Sequence, residues 1–516
     1  MNDTTASKPF LPTGSVGKGE FHLDPTAFHL TKLDIYPHTV TLKEKEGDKK
    51  FLDLRPQLDM ILITESIFQS ALHVNLGITD AVGLLDTLRI QGGEKIRLRI
   101  EQNIKKSVFH DTLNTEFVKD IDLELYISDI KNFEKPKIDT QTYTLECVTK
   151  PAYLNQLKVL NEKFEGTPAE LIKRIVKREL ELDEEDLVVP KLRGLLPEIE
   201  AYAPNSKTLD QSLAGSAAVT GDDGYGEPIK GIYPKLRPFA AIHWLLRNTN
   251  DNGTPVFFFE GMTRGYQLKS WEDFLGMDNK PYFLPYSNSP LEDNFEPGTK
   301  MDIDHEDWYD ANRRKIITLQ SSLGLSKYND ARKGAYASNL TTVDFSTKTY
   351  KSGKEGSVFK YDDKMVKLNR FKPFSDKIKF NGGALNEDVN KNSRNFFVSE
   401  NFWAFKEWNN YHSALTPDAI QKKESYKANI DMLTHTMTIP GDPVLGAGVV
   451  VDLKVWKIQD QNLDHGDTAG IYGDELMGGR FLIKKIHHLF KPTGYTMEIE
   501  IIKDSSKVDL DEEIQV

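Results

Sequence analysis

The sequence predicts an α+β fold that is mainly β, in which two β-barrel modules flank a small α/β domain and an insertion splits the second module. Three observations predict it. Stretches with apolar residues at every second position lie towards both ends of the chain, and the longer stretches with helical spacing of apolar residues lie in the middle. A segment near residues 351–425 is rich in Lys, Asn and Phe and has no sustained strand period.

The first β module is predicted over residues 28–150. It follows an N-terminal arm, residues 1–27, which is small, polar and interrupted by Gly and Pro, as in a flexible arm or a strand donated to a neighbour. In the runs KIRLRI and DLELYI the apolar residues alternate; these are Ile96, Leu98, Ile100, Leu123, Leu125 and Ile127. One face of each strand is therefore expected to meet a core, and the other water or a partner.

The α/β domain is predicted over residues 151–305, with connecting loop at about 182–235. Its clearest helix begins at TPAE, where Thr167 is the expected N-cap, Pro168 the first helical residue and Glu170 the partner in a capping box. A second helix, RPFAAIHWLLRNT, runs into an NDNG turn. The apolar run TPVFFFEG and the following GYQLK then predict a hairpin.

The second β module is predicted in two pieces, residues 306–350 and 430–505, separated by an insertion at 351–429. An acidic C-terminal tail, residues 506–516, follows it. The order of strand-like stretches in the two modules is similar. We therefore expect both modules to have the same topology in spite of little sequence identity.

Composition limits the classes of function. The chain has 516 residues, a formal net charge of −12 and one cysteine, Cys147. The charge argues against a general phosphate-binding surface, and a lone cysteine in an alternating run is typical of a buried strand thiol. No stretch is apolar enough for a membrane helix, and the first twenty residues lack the pattern of a signal peptide. We expect a protein made in a cytoplasm.

The motifs predict no catalytic, cofactor-binding or metal-binding residue. GSVGKGE at 14–20 lacks the spacing of a phosphate loop, and NTNDNGTPVFFFE at 248–260 lacks the final carboxylate of a calcium loop. The acidic run at 302–310 is more typical of a solvated loop than of a metal site. His487 and His488 are adjacent on a predicted strand, so one is expected in the core and one at the surface.

Two other functions stay open from the residues alone. A pair of catalytic carboxylates has no local sequence signature and could lie among the 78 Asp and Glu residues of a carbohydrate-cleaving enzyme. A carbohydrate-binding module is favoured by clusters of aromatic residues. These clusters comprise Trp271, Tyr282 and Tyr286, and Phe396, Phe397, Phe402 and Trp403.

Residues 63–100 resemble the first β module of phage tail hub proteins and of the spike-base region of type VI secretion proteins. The shared order is two strands, an I-x-D turn ending at Asp80, a short helix, and the small-residue turn Gly92, Gly93 and Glu94 before an alternating strand. Asp80 is placed to cap the helix, and the two glycines can adopt positive φ. TMTIPGDPVLGAGVVVDLKV, with Gly441, Pro443 and Gly448, resembles the end of the second module.

The nearest likeness is to the baseplate hub of contractile-tailed, T-even-like phages. It implies two tube-like modules and a non-enzymatic homotrimer whose six modules imitate a six-fold ring between the hexameric tail tube and the trimeric central spike. The implied partners are the spike, a tube or tube-initiator protein, the tape measure protein and the baseplate wedges. Genomic DNA would pass through the lumen unbound, no cofactor is implied, and the location is the tail baseplate of the virion.

Overall fold

The structure is a computed structural model of the whole chain, and it describes the central parts of both modules, the middle domain and the insertion. The described residues are 28–38, 42–44, 47–49, 51–101, 121–182, 187–188, 229–247, 253–276, 282–285, 316–323, 327–344, 348–351, 358–399, 416–443, 445–455 and 476–512. The N-terminal arm, the acidic run at 302–310, most of the loop at 182–235 and the last four residues lie outside them.

In the described residues of the N-terminal part there are nine strands and one short α-helix. They are β1 His29–Tyr36, β2 Leu42–Glu44, β3 Gly47–Lys49, β4 Leu52–Asp53, β5 Leu58–Ser66, β6 His73–Asp80, α1 Leu84–Leu88, β7 Lys95–Glu101, β8 Ile121–Lys137 and β9 Thr140–Thr149. The alternation read from the sequence is confirmed, since Ile96, Leu98 and Ile100 are buried on β7 while the residues between them are not. Cys147 is a buried thiol on β9, as expected.

The middle part combines helices with short strands. They are α2 Lys150–Leu157, β10 Lys163–Gly166, α3 Pro168–Glu179, β11 Leu187–Val188, β12 Ile229–Ile232, α4 Pro238–Arg247, β13 Val256–Gly261, β14 Gly265–Ser270 and α5 Trp271–Gly276. The predicted capping box is present: Thr167 Oγ1 accepts from the N–H of Glu170, whose carboxylate accepts from the N–H of Thr167. The predicted β13–β14 hairpin is also present.

The described residues of the C-terminal part contain the remaining strands and two α-helices. They are β15 Tyr282–Pro285, β16 Thr318–Leu323, α6 Lys327–Lys333, β17 Ala337–Asp344, β18 Thr349–Lys351, β19 Val358–Lys360, β20 Lys379–Phe380, β21 Gly383–Ala384, β22 Asn395–Ser399, α7 Thr416–Asn429, β23 Leu433–Pro440, β24 Val450–Lys454, β25 Gly479–Lys491 and β26 Gly494–Lys503. Short 3₁₀ helices span Arg55–Gln57 and Asp388–Ser393.

The prediction of an α+β fold that is mainly β is confirmed, but the strands of the two modules form one sheet. Its order is β16-β23-β26-β25-β5-β6-β9-β8-β7-β1-β4, and β24 and β15 extend it beside β25. Within the described residues neither module closes into a separate barrel. The reason is that β5, the strand at one end of the first module, pairs with β25 of the second.

The two halves of this sheet have the same pairing order. In the first module the neighbours run β5-β6-β9-β8-β7-β1, and in the second they run β16-β23-β26-β25-β24-β15. All of these pairs are antiparallel except β15 with β24, which is parallel where β1 with β7 is antiparallel. The last two strands of each module form a long hairpin, β8–β9 and β25–β26.

Residues 337–344 and the insertion form a separate sheet. β17 pairs with β18, β19 and β22 and has no neighbour in the large sheet. The sequence analysis grouped these residues with the second module because ASNLTTVD has the composition of a strand, and composition does not say which sheet a strand joins. The insertion also carries regular elements, including the 14-residue helix α7, where the sequence has no sustained period.

Three hydrophobic cores hold these parts together. One lies on one face of the large sheet and runs through both modules without interruption. A second belongs to the middle domain. The third packs the insertion against the middle domain and the second module, so β13 contributes Phe258 to the second core and Phe257 and Phe259 to the third. Because β13 is buried on both faces, its sequence is a continuous apolar run rather than an alternating one.

Candidate functional site

The junction between the two modules depends on one strand that has two partners along the same edge. Residues 450–453 of β24 pair with residues 479–482 of β25, and residues 61–66 of β5 pair with residues 485–490. A β-bulge at Lys484 separates the two halves. The main-chain ladder therefore passes from one module into the other without a break.

The first module has an equivalent bulge and turn. β8 bulges at Ser128, between the pairs Ile127–Cys147 and Asp129–Glu146. The N–H of Gly93 donates to Ile127 O at 2.7 Å, and the N–H of Gly448 donates to Ile483 O at 2.9 Å. Both glycines have φ of +83° and precede a strand by two residues. Gly93 and Gly448, which the sequence resemblance selected separately, therefore occupy equivalent positions.

Asp80 holds the turn that leads into α1. Its carboxylate accepts from the N–H groups of Val82, Gly83 and Leu84 at 2.6 to 2.9 Å and from the side-chain amide of Gln141 at 2.7 Å. Burial alone would raise the pKa of Asp80, but these hydrogen bonds outweigh it and lower the pKa. The Asp80 carboxylate thus reaches the N–H of Leu84, the first helical residue, although the N-cap position itself is Gly83.

Glu94 and Gly92 form the turn after α1. The Glu94 carboxylate is buried and accepts from the N–H groups of Gln91 and Gly92, both at 2.8 Å. Gly92 has φ of +100°, a region that favours glycine. The turn is thus built from the small residues and the acid that the motif contains.

The glycines of the second module are required by close packing. A Cβ at Gly441 would overlap the ring of Tyr495, which is fully buried and stacks on Phe490 with centroids 4.0 Å apart. A Cβ at Gly448 would lie 2.8 Å from the Phe274 ring of the middle domain. Pro443 is buried, and its carbonyl accepts from Thr263 Oγ1 at 3.4 Å. This loop is therefore also where the second module contacts the middle domain.

Glu65 connects all three parts at this junction. It lies on β5 with only 1% of its surface exposed. Its Oε2 accepts from the N–H of Met262 at 2.7 Å, its Oε1 accepts from the N–H of Ala447 at 2.8 Å, and His488 Nε2 lies 3.4 Å from Oε1. Burial would raise the pKa of Glu65, but His488 and the two amides outweigh it and lower the pKa.

Glu260 makes the reciprocal contact from the middle domain to the first module. Its Oε2 accepts from the N–H of Leu72 and from Thr149 Oγ1, both at 2.9 Å. Burial raises the pKa of Glu260 to about 7, and the charge of Glu65 adds to the effect. The first module and the middle domain thus each supply a buried carboxylate that accepts hydrogen bonds from backbone amides of a neighbouring part. These bonds fix the relative orientation of the parts more specifically than apolar contact does.

The sequence analysis missed Glu65 and Glu260. A signal for Glu65 exists, since it follows Ile61 and Ile63 on the core-facing side of β5, where an acid is out of place. Glu260 ends an apolar run in the same way. The expectation for the histidines agrees with the structure, because His488 is fully buried and His487 is partly exposed.

Two carboxyl groups with opposite pKa shifts also resemble a general acid and base. A glycosidase needs them in a cleft that admits a sugar, whereas Glu65 and Glu260 are buried and bonded to backbone amides. Trp271 is fully buried in the third core rather than presented to a ligand. Phe397 is exposed, and Tyr286, Phe402 and Trp403 lie outside the described residues.

Two searches for other kinds of site give negative results over the described ranges. There, no group of three or more His, Cys, Asp or Glu side chains is arranged to hold a metal ion. None of the helices described is both long and apolar enough to span a membrane.

The comparisons with known proteins give structural likeness only. No family model matches the chain, and no curated protein matches it. The chain is similar to the 43 kDa tail protein of prophage MuSo2 from Shewanella oneidensis, with 10% identity, a TM-score of 0.44, and coverage of 92% of this chain and 98% of that one. It is also similar to a tail protein from Neisseria meningitidis MC58, with 11% identity, a TM-score of 0.43, and coverage of 92% and 96%.

A third similar structure is the E. coli c3393 protein, described as a component of the type VI secretion system with structural similarity to the T4 bacteriophage tail proteins gp27 and gp5. It has 7% identity, a TM-score of 0.36, and coverage of 93% of this chain and 79% of that one. Two of these proteins are thus described as tail proteins, and the third as a component of a type VI secretion system. At such TM-scores, function has to be argued from the geometry of this chain itself.

Replacing Gly441 by Ala should destabilise the fold, because the added methyl group overlaps the buried Tyr495 ring. We expect a loss of roughly 1–3 kcal/mol in the free energy of unfolding, measured by urea denaturation. Gly446→Ala is the matched control from the same loop, since its Cβ would meet no atom closer than 3.5 Å. Equal stability of the two variants would contradict this account of the loop.

The raised pKa of Glu260 predicts a pH dependence of stability. The pKa of Glu260 is 4.5 in the unfolded chain and about 7 in the folded chain. Its contribution to the free energy of unfolding is therefore fully present below pH 4.5 and is lost as the pH rises through 7. Glu260→Gln removes this loss. Relative to the wild type, the variant should gain about 3 kcal/mol in unfolding free energy between pH 4.5 and pH 8. A difference that does not change with pH in urea titrations would show that Glu260 does not titrate in this way.

Proposed function

We propose that the chain is a structural component of a contractile phage tail, namely the baseplate hub. Three copies form a ring that connects the hexameric tail tube to the trimeric central spike. The observation that carries the proposal is the repeated module: two halves with the same pairing order, joined edge to edge through β25 and β5. A chain with two equivalent modules is suited to contact a six-fold partner on one side and a three-fold partner on the other when three copies assemble.

The domain organisation in this proposal follows the sequence analysis. Residues 28–150 form the first tube-like module, 151–305 the α/β domain, and 306–350 with 430–505 the second tube-like module around the insertion at 351–429. Two features qualify these limits: β17 joins the insertion sheet, and β15 pairs with β24 of the second module. Part of the C-terminal tail packs on the insertion, where Asp511 contacts Lys372 at 3.2 Å.

The polar face of the large sheet is the candidate wall of the DNA passage, because the opposite face is buried by the first core. Its side chains include hydroxyls and amides such as Thr436, Thr438 and Asn75. Lys131 is paired with Glu146 at 2.8 Å, and Lys484 is paired with Glu500. Lysines neutralised in this way offer little to a phosphate backbone, which agrees with a lumen through which DNA moves freely.

The partners in this proposal are the central spike, the tube or tube-initiator protein, the tape measure protein and the wedge proteins around the hub. The role is non-enzymatic, and the location is the tail baseplate of the virion. The inaccessible carboxylates at the junction support a structural role over carbohydrate cleavage, since they bond to the backbone of neighbouring parts.

The proposal predicts the stoichiometry of the complex with the spike. Light scattering should give the molar mass of the full chain alone and after mixing with the trimeric spike protein of the same tail, and the spike alone is the control. We expect three copies of the chain per spike trimer, whether or not the free chain is already trimeric. Two copies, six copies, or turnover of peptidoglycan by the purified chain would contradict the hub function.

A further inference from the structure

The insertion differs in charge from the rest of the chain. Residues 351–429 contain 15 Lys and Arg against 10 Asp and Glu, whereas the whole chain contains 66 against 78. The insertion is therefore a basic part of an acidic protein. Because a basic surface attracts anionic groups, this difference indicates the chemistry that a partner of the insertion would need.

Basic side chains meet at the end of helix α6, beside the insertion. Arg332 and Lys333 are the last two residues of α6 and are exposed, and Gly334 follows them with φ of +89°. A Cβ at Gly334 would lie 3.1 Å from Cβ of Arg394 and 3.4 Å from the Phe396 ring. Since Gly334 has no side chain, Arg394 can lie across the end of the helix. We call Arg332, Lys333 and Arg394 the basic patch.

The Arg394 side chain is held in position and is not neutralised. Its guanidinium lies over the Phe396 ring, 5.2 Å from the centroid. No residue of the basic patch forms a salt bridge within the described part of the chain. Asp330, the acid of α6, interacts electrostatically with Lys333 but accepts its hydrogen bond from Tyr336 Oη, at 3.2 Å. A guanidinium fixed in this way loses little conformational entropy when it binds a carboxylate.

An exposed tyrosine accompanies the basic patch. Tyr328 precedes Arg332 by four residues on α6, so the two side chains lie on the same face of the helix. The tyrosine is 79% exposed. Tyr and Arg are enriched among the residues that contribute most to protein interfaces. Their combination at this place favours a protein partner.

The insertion already binds one acidic segment of its own chain. Asp511 of the C-terminal tail accepts from Ser375 Oγ at 2.5 Å and from the N–H of Asp376 at 2.8 Å, and it contacts Lys372 at 3.2 Å. The insertion therefore holds a carboxylate by hydrogen bonds as well as by charge.

We propose that the basic patch, with Tyr328 beside it, binds an acidic segment of a partner protein. This inference goes beyond the hub function and does not depend on it. A long polyanion such as duplex DNA is disfavoured, because the net charge of −12 on the chain repels it beyond the patch. An anionic membrane is disfavoured for the same reason. A short acidic segment needs to meet only the patch.

The test measures binding of a fluorescein-labelled oligoglutamate peptide to the full chain by fluorescence anisotropy. The variant Arg332→Glu, Arg394→Glu should weaken binding roughly tenfold or more, because two attractive charges become repulsive. Lys364→Glu, Lys379→Glu is the matched control: it changes the net charge equally at two exposed residues of the insertion and should leave the affinity unchanged. Urea denaturation checks that all proteins are folded, and Arg332→Glu alone replaces the double variant if that variant does not fold.

The other outcomes each contradict the proposal. Absence of binding to the wild type, or equal weakening in the patch and control variants, would show that the patch is not a specific site. Duplex DNA and vesicles of phosphatidylcholine with phosphatidylglycerol are measured in the same way, and tighter binding of either than of the peptide would identify a phosphate-bearing partner instead. A lower molar mass of the free patch variant in light scattering would show that the patch contacts a second copy of the chain.

Discussion

The main constraint on this molecule is that a β-strand edge must find a partner for its N–H and C=O groups. One edge of β25 satisfies this requirement with two partners. It pairs with β24 before the bulge at Lys484 and with β5 after the bulge. The bulge lies at the point along β25 where one partner is replaced by the other. The single sheet, the uninterrupted core beneath it and the relation of the two modules all depend on this change of partner.

The middle domain makes the junction specific. Backbone pairing allows strands to slip by two residues and keep the same face buried, so a second kind of contact is needed to define the register. Glu65 bonds to amides of both the middle domain and the second module, and Glu260 bonds to the first module. A slip would leave these buried carboxylates without their hydrogen bonds, which is costly at such low exposure. The arrangement therefore favours one orientation of the three parts.

Much of the fold could be predicted from local pattern, because alternation, capping and turn chemistry act over a few residues. The α3 helix is predicted down to its capping box, and the positive φ of Gly92 and Gly93 follows from the motif. The merging of the modules could not be predicted, because pairing between β25 and β5 joins residues more than 400 positions apart and leaves no local signal. The same holds for β17, whose strand character is visible but whose sheet is not.

The candidate site at the junction could likewise be predicted only in part from the sequence. Asp80 and Glu94 stand in a recognisable turn motif, whereas Glu65 and Glu260 are single acids in apolar runs whose partners are distant in sequence. A charge on the core-facing side of a strand indicates a buried polar contact, but it does not indicate which backbone amide will meet it. The equivalence of Gly93 and Gly448 likewise becomes visible only through their matching hydrogen bonds to Ile127 and Ile483.

The central claim is the proposal that a chain with two equivalent modules, joined edge to edge through β25 and β5, serves a ring of three copies. Electron cryomicroscopy of tail particles that contain this chain tests it most directly. The account predicts three copies around the tail axis, which together place six modules in one ring. A different number of copies would contradict it.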